Sequence, residues 1–423
     1  MNTTCLCYLG FFNRRNRRIM DTIPLPVVMD GATGTELMAR GMPQGVSTEQ
    51  WVLDHPEVLL EVQRAYVRSG SQVLLAPTFG ANRVGLSRCG AFHQVADYNR
   101  RLVELTRQAA EGKCLVAGDL APMGLSLPPF GESGFEELVA VYTEQAAALA
   151  AAGVDLFVVE TMTTMAEARA AVLACRSVSD RPVWVSFTCD EEGRTPTGTD
   201  VLAAMIVMQG MGAAAFGLNC TDPAVTAQQL ERLTPYAAIP LIAKPNAGLP
   251  GAYCTPAELA AQAPAYARAG ARIFGGCCGA GPDHLAAVKA AVEGIGFSAF
   301  PPVEHDPDVI PCASEKEARF ITPDVDVGET IECTPDLLED ILMAEEVSPQ
   351  GALKIAILEE DDLDIFAENQ YAVKDALCLF SDVPELLEKA LRIYQGRAFW
   401  DGTGDLEEDF LRNMADKYGL ILL

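Results

Sequence analysis

Eight apolar runs recur along the first two thirds of the chain, each ending in polar or glycine residues. They are PVVMDGATG (26–34), QVLLAPTFG (72–80), LVAGDLAP (115–122), LFVVETM (156–162), VWVSFTCD (183–190), AAAFGLNC (213–220), LIAKPNAG (241–248) and IFGGCCG (273–279). Continuous rather than alternating hydrophobicity marks strands buried on both faces, as in a parallel sheet covered by helices. Segments with helical spacing lie between the runs, among them PEVLLEVQRAYVRSG and PAELAAQAPAYARAG. Gly70, Gly153 and Gly270 stand just before the next run, where a helix C-cap belongs. Eight such units predict an α/β fold, a (β/α)8 barrel, with an open doubly wound sheet as the competing arrangement.

The charge pattern divides the chain. Residues 301–423 carry 30 acidic and 9 basic side chains, against 28 and 22 in the first 300. The shift coincides with the proline-bearing stretch AFPPVEHDPDVIPC (299–312), which reads as a linker. The expected organisation is an N-terminal tail over 1–22, a barrel over 23–298, a linker over 299–312 and a smaller acidic α/β domain over 313–423. A net charge of −27 argues against nucleic acid, whose phosphates require basic patches. No apolar run reaches the ~18 residues of a membrane helix. In the N-terminal MNTTCLCYLGFFNRRNRRIMD the basic cluster follows the apolar stretch, the reverse of a secretory signal. Thirteen cysteines, an odd number without secretory context, then point to reduced thiols and a cytoplasmic location.

A barrel places its chemistry at the C-terminal ends of its strands. Those ends read Asp30, Thr78, Asp119, Glu160, Cys189 with Asp190, Asn219 with Cys220, Asn246, and Cys277 with Cys278. Cys220, Cys277 and Cys278 thus fall at the ends of strands six and eight. Three thiolates without a fourth protein ligand match the open coordination of catalytic zinc (Zn2+), whereas structural zinc is usually closed by four. No C-x-x-C pair occurs, which argues against a zinc ribbon or a thioredoxin-like motif. The competing reading of GGCCGAG is a glycine loop cradling phosphate, in which both thiols would be idle. The histidines, His55, His93, His284 and His305, fall in helix-like or linker segments and read as surface residues.

Four segments, MDGATGTEL (29–37), FGLNCT (216–221), KPNAG (244–248) and GGCCG (275–279), resemble the signature segments of homocysteine S-methyltransferases. The resemblance runs in order over about residues 26–296. It implies that Cys220, Cys277 and Cys278 bind zinc, that Asp30 and Glu160 contact the substrate's amino group, and that Asn246 lies beside the metal. The implied activity is zinc-dependent methyl transfer to the thiol of homocysteine, giving methionine. The alternative is a non-catalytic or partner-dependent homocysteine-binding subunit of a corrinoid methyltransferase system. A thiolate is the nucleophile, and coordination to zinc deprotonates a thiol outright, so no general base is needed. The donor stays open among methylcobalamin, methylfolate, S-methylmethionine, S-adenosylmethionine and methylated amines. A corrinoid donor would arrive on a separate protein.

Residues 313–423 read as further α/β units, and their last segment faintly resembles a βα unit of the folate-binding barrel of methionine synthase. The run EEDDLD (359–364) reads as a solvated face. Charge of one sign suits this domain to docking a carrier protein, with a solubilising or dimer-forming appendage as the alternative.

Overall fold

The computed structural model describes residues 23–129, 131–249, 252–300, 303–347 and 351–423; the tail expected over 1–22 lies outside them. Eight parallel strands form one sheet: β1 (Val27–Val28), β2 (Val73–Leu75), β3 (Leu115–Leu120), β4 (Leu156–Met162), β5 (Val183–Phe187), β6 (Ala215–Asn219), β7 (Leu241–Lys244) and β8 (Ala271–Phe274). Their order is β1-β8-β7-β6-β5-β4-β3-β2, and a parallel bridge between Met29 and Val73 joins the two ends. The arrangement is the (β/α)8 barrel. All eight apolar runs contribute a strand, although the eighth strand begins at Ala271 and GGCCG is loop.

Alternation along each strand separates two cores. Val27, Met29, Val73, Leu75, Ala117, Val158, Trp184, Ile242 and Ile273 fill the barrel interior. Their neighbours in sequence, such as Val28, Leu74, Val116 and Val159, pack outward under the helices. Gly70, Gly153 and Gly270 all have φ between +81° and +92°, the left-handed turn that ends each helix and returns the chain to the sheet.

Beyond residue 300 the chain forms an antiparallel hairpin, β9 (Ile310–Ala313) with β10 (Ala318–Ile321), and a second parallel sheet. This sheet runs in sequence order: β11 (Thr330–Glu332), β12 (Ala352–Ala356), β13 (Ala376–Phe380), β14 (Phe399–Trp400) and β15 (Ile421–Leu422). Strand β9 occupies the end of the stretch expected to be linker. EEDDLD opens the helix Glu360–Asn369, where Asp362 caps the Leu358 and Glu359 amides, Leu363 turns inward and the other charges stay outside.

The two parts share a buried seam. The barrel helix Val201–Gly210 (VLAAMIVMQG) is apolar all round, and every residue from Val201 to Met208 is buried. A helix without a polar face must be covered on both sides. One side lies against the barrel, and the other meets β9, β10 and the helix Glu408–Tyr418. Arg169, itself fully buried, donates to the carbonyls of Leu391 and Arg392 and to Gln395 Oε1 across the seam. At the barrel mouth Arg194 pairs with Glu317, and Lys316 Nζ donates to the Thr197 carbonyl, so the hairpin braces the loop after β5.

Candidate metal and substrate site

The interior alternation continues to the mouth of the barrel. Two or four residues beyond Ala117, Val158, Trp184, Ala215 and Ile242 stand Asp119, Glu160, Ser186, Asn219 and Lys244, all buried. An apolar floor therefore carries a polar layer made of one residue from each of five consecutive strands. Gly275 is part of this fit: a Cβ there would stand 3.1 Å from the Cγ of Lys244 and 3.2 Å from Met29 Cβ.

The thiols converge above this layer. Cys220 Sγ lies 2.8 Å from Cys277 Sγ and 3.7 Å from Cys278 Sγ, and all three sulfurs fall within 4.8 Å of one another. Cys220 takes a left-handed backbone, φ 54°, which turns its side chain off the end of β6. That conformation costs a non-glycine residue of order 1–2 kcal/mol and persists only where the surroundings hold it. Thr188 Oγ1 donates to the Cys220 carbonyl, and Thr221 Oγ1 accepts from the Cys189 amide. The loop after β7 laces the two cysteine loops together: Asn246 N donates to Thr221 O, Cys277 N to Pro245 O and Ala247 N to Cys278 O.

Asn219 links this cluster to the layer below. Its Oδ1 accepts from Thr161 N at 2.8 Å and Ser186 Oγ at 2.9 Å, and its Nδ2 donates to Thr161 Oγ1 at 2.7 Å and faces Cys277 Sγ at 3.8 Å. Hydrogen bonds from Cys220 and Cys277 pull the Cys278 thiol down to about 3, and the contacts of Cys220 with Cys277 and Cys278 push Cys220 up. One negative charge is thus easily held and the next resisted, a balance that a divalent cation reverses. Three soft donors, one of them exposed and so open to a further ligand, suit a thiophilic ion.

Beside the thiols sits a dense group of charges. Lys244 Nζ is ion-paired with Glu160 Oε2, and both side chains are at least nine-tenths buried. Burial alone would lower Lys244, but Glu160, Cys277, Asp30 and Asp119 outweigh it and hold the ammonium charged. Burial raises Asp30 to about 7, against the opposing pull of Lys244 and of the Leu75 amide, which donates to its Oδ2 at 2.8 Å. Burial and the Glu160 charge raise Asp119 well above the carboxylate range. Asp30 Oδ1, Asp119 Oδ1 and Asn246 Oδ1 are buried acceptors without a protein partner.

Of the residues selected from sequence, Cys220, Cys277 and Cys278 come together, and Asp30 and Glu160 lie in the charged group beside them. Asn246 borders the cysteine loops through its main chain. Cys189 stands outside the three-sulfur group. Among the histidines none is buried: His55 and His93 are exposed, and His284 and His305 are half-covered. Their rings rest on the carbonyls of Cys254 and Pro235. Sequence reasoning assigned no role to Lys244, Asp119 or Asn219. For Lys244 the available signal was a lysine inside an apolar run.

Comparison with known proteins adds the following. The family model for homocysteine S-methyltransferase matches residues 27–292. Methionine synthase of Mycobacterium leprae is 31% identical over 301 residues, 65% of this chain and 25% of that protein. Methionine synthase of Mycobacterium tuberculosis is 32% identical over 295 residues, 64% of this chain and 25% of that protein. The chain thus spans about a quarter of the length of these relatives. Among solved structures, the metallated form of the homocysteine methyltransferase MmuM from Escherichia coli is 29% identical with a TM-score of 0.57, covering 66% of this chain and 99% of that one. No helix among the described residues is long and apolar enough to cross a membrane.

Proposed function

The chain belongs to the homocysteine S-methyltransferase family, and on that premise we propose that it moves a methyl group to the thiol of homocysteine, giving methionine, with zinc held by Cys220, Cys277 and Cys278. The observation that carries the reading is the convergence of three sulfurs beside a buried, carboxylate-rich layer. When bound, the ion would supply a Lewis-acidic centre at which a further thiol loses its proton near neutral pH.

The chain's own residues do the rest. Thr188, Thr221 and Asn219 hold the cysteine loops in place. Asp30, Glu160 and Asn246 are the substrate contacts in this reading. Asp30 Oδ1 and Asn246 Oδ1 face no protein donor, and Glu160 shares its charge with Lys244. A zwitterion entering a buried site needs its ammonium matched by such acceptors, because an unpaired buried charge costs several kcal/mol. Orientation of the acceptor thiol and exclusion of water, rather than a general base, are then the protein's contribution. We further divide the chain into a catalytic barrel over 23–298 and an α/β domain over 313–423.

The second reading, a homocysteine-binding subunit dependent on a separate corrinoid protein, draws support from the charge of residues 301–423, which suits steering of a carrier. One assay separates the two. Methionine formation by the purified, zinc-loaded protein is measured with methylfolate, S-methylmethionine, S-adenosylmethionine, methylcobalamin and methylated amines, each with and without a corrinoid carrier protein. Turnover with a small donor alone supports the first reading, and turnover only with the carrier supports the second. Failure to bind homocysteine would overturn both.

A further inference from the structure

Asp119 has no role in the site as described so far, and its environment asks for one. Its main chain is fully occupied: the amide donates to Thr78 Oγ1 at 3.0 Å, and the carbonyl accepts from Thr78 Oγ1 at 2.9 Å and from Gln145 Nε2. The strand end is therefore held without help from the carboxylate. The residue is 5% exposed, and its Oδ1 is buried with no protein donor. Two residues earlier on the same face stands Ala117, and an apolar side chain would fill the Asp119 position at lower cost.

The surroundings show which ligand would repay that cost. Asp119 stands in the polar layer with Glu160 and Lys244 and lies within electrostatic reach of both, as well as of Asp30 and Cys277. Lys244 is committed to Glu160. Asp30 Oδ1 and Asp119 Oδ1 are left as two buried acceptors without a protein donor, both within electrostatic reach of Lys244 and Glu160. An alkylammonium offers three donors and a positive charge, the complement of such a pair. A thiol that carries a carboxylate but no ammonium would offer these acceptors no donor and would bring a negative charge into the same space.

We infer that Asp119 is a specificity-determining residue that joins Asp30 in binding the ammonium of the acceptor, selecting amino-acid thiols over thiols that lack an amino group. This rests on the acceptor site proposed above, and it extends that assignment to a residue on a different strand.

The test is calorimetric binding of L-homocysteine and of 4-mercaptobutanoate, which keeps the thiol and the carboxylate, to the zinc-loaded full chain. Asp119→Asn preserves shape and removes the carboxyl group that a bound ammonium would hold ionised, and loss of that charge-assisted contact predicts about tenfold or greater weakening for homocysteine. Affinity for 4-mercaptobutanoate should stay level or improve, with zinc content unchanged. Asp119→Ala, which repeats the side chain found two residues earlier on the same face, should give the same pattern and guards against an effect peculiar to the amide. Homocysteine affinity within twofold of wild type in both variants overturns the inference. So does an equal loss for the two thiols, or a loss of zinc, since either marks a structural role. If the wild-type chain binds neither thiol, the acceptor assignment itself falls, an outcome distinct from a failure of Asp119 alone.

Discussion

The guanidinium of Arg169, with no exposed surface, donates to the main-chain oxygen of Leu391 at 2.8 Å, tying a barrel helix to the C-terminal sheet's helix layer. Its other partners are also neutral acceptors on the far side of the seam, so the contact has no carboxylate to replace it. Arg169→Ala should lower unfolding stability by about 3 kcal/mol, through buried acceptors left unpaired and volume lost. Chemical denaturation measures this. A chain ended near Phe300 should do worse, because it uncovers the helix Val201–Gly210 along a wholly apolar face. Such a truncation should aggregate or bind a hydrophobic dye, and a monomeric, dye-negative product would contradict the seam.

The Lys244–Glu160 pair crosses the barrel mouth from β7 to β4 and should show the asymmetry of buried ion pairs. Glu160→Gln or Lys244→Met alone leaves one charge uncompensated and should cost about 3–5 kcal/mol. The double variant should cost less than the sum of the two. The single variant Glu160→Gln should also raise the apparent KM for homocysteine with metal content unchanged. Strict additivity in the double-mutant cycle would show that the two side chains do not share one charge balance.

Asp30 gives a pH dependence of definite sign. Its folded value of about 7 lies above the ordinary aspartate value of 3.8, so the folded state holds the proton more tightly. Stability from this group is present below about pH 4 and is lost as pH rises towards 7. In Asp30→Asn, whose side-chain oxygen can still accept from the Leu75 amide, that loss should vanish. The stability difference between variant and wild type should therefore grow in the variant's favour between pH 4 and 7, by up to roughly 4 kcal/mol. Urea titrations at intervals across that range would reveal it, and a constant difference would refute it.

The barrel could be read from its eight apolar runs because parallel strands are buried on both faces and say so locally. The sulfur cluster could be read because Cys220, Cys277 and Cys278 fall at strand ends that any such barrel brings to one mouth. Lys244 and Asp119 could not be assigned in the same way. The partner of Lys244 sits on a strand three places away around the sheet, and the idleness of the Asp119 carboxylate emerges only once Thr78 and Gln145 are seen to hold its main chain. The expected linker over 299–312 ended in β9 because Ile310 and Cys312 alternate into a small core with Phe399, a long-range contact without a local pattern. One signal for the seam lay in the sequence: VLAAMIVMQG has no polar face, which a solvent-facing barrel helix requires.

The metal cluster should depend on Asn219 nearly as much as on its sulfurs. Cys277→Ala removes a ligand outright and should abolish stoichiometric zinc, which in the intact protein should sit about 2.3 Å from sulfur by X-ray absorption. Asn219 acts one step further out. Its Oδ1 gathers Thr161 and Ser186, and its Nδ2 faces Cys277, so a single amide aligns the ends of β4, β5 and β6 beneath the thiols. Asn219→Asp keeps the shape and the acceptor but replaces the donor with a charge directed at a cysteine sulfur. Residues that orient metal ligands typically contribute ~10–100-fold in metal affinity, and the Asp variant should lose at least that much. Ser186→Ala, which removes one donor to Oδ1 and leaves Nδ2 in place, should lose little. Competition against a chromophoric chelator distinguishes the two. Equal zinc affinity in Asn219→Asp and wild type would mean that the cysteine loops hold their geometry unaided, with the amide serving only the left-handed turn at Thr161.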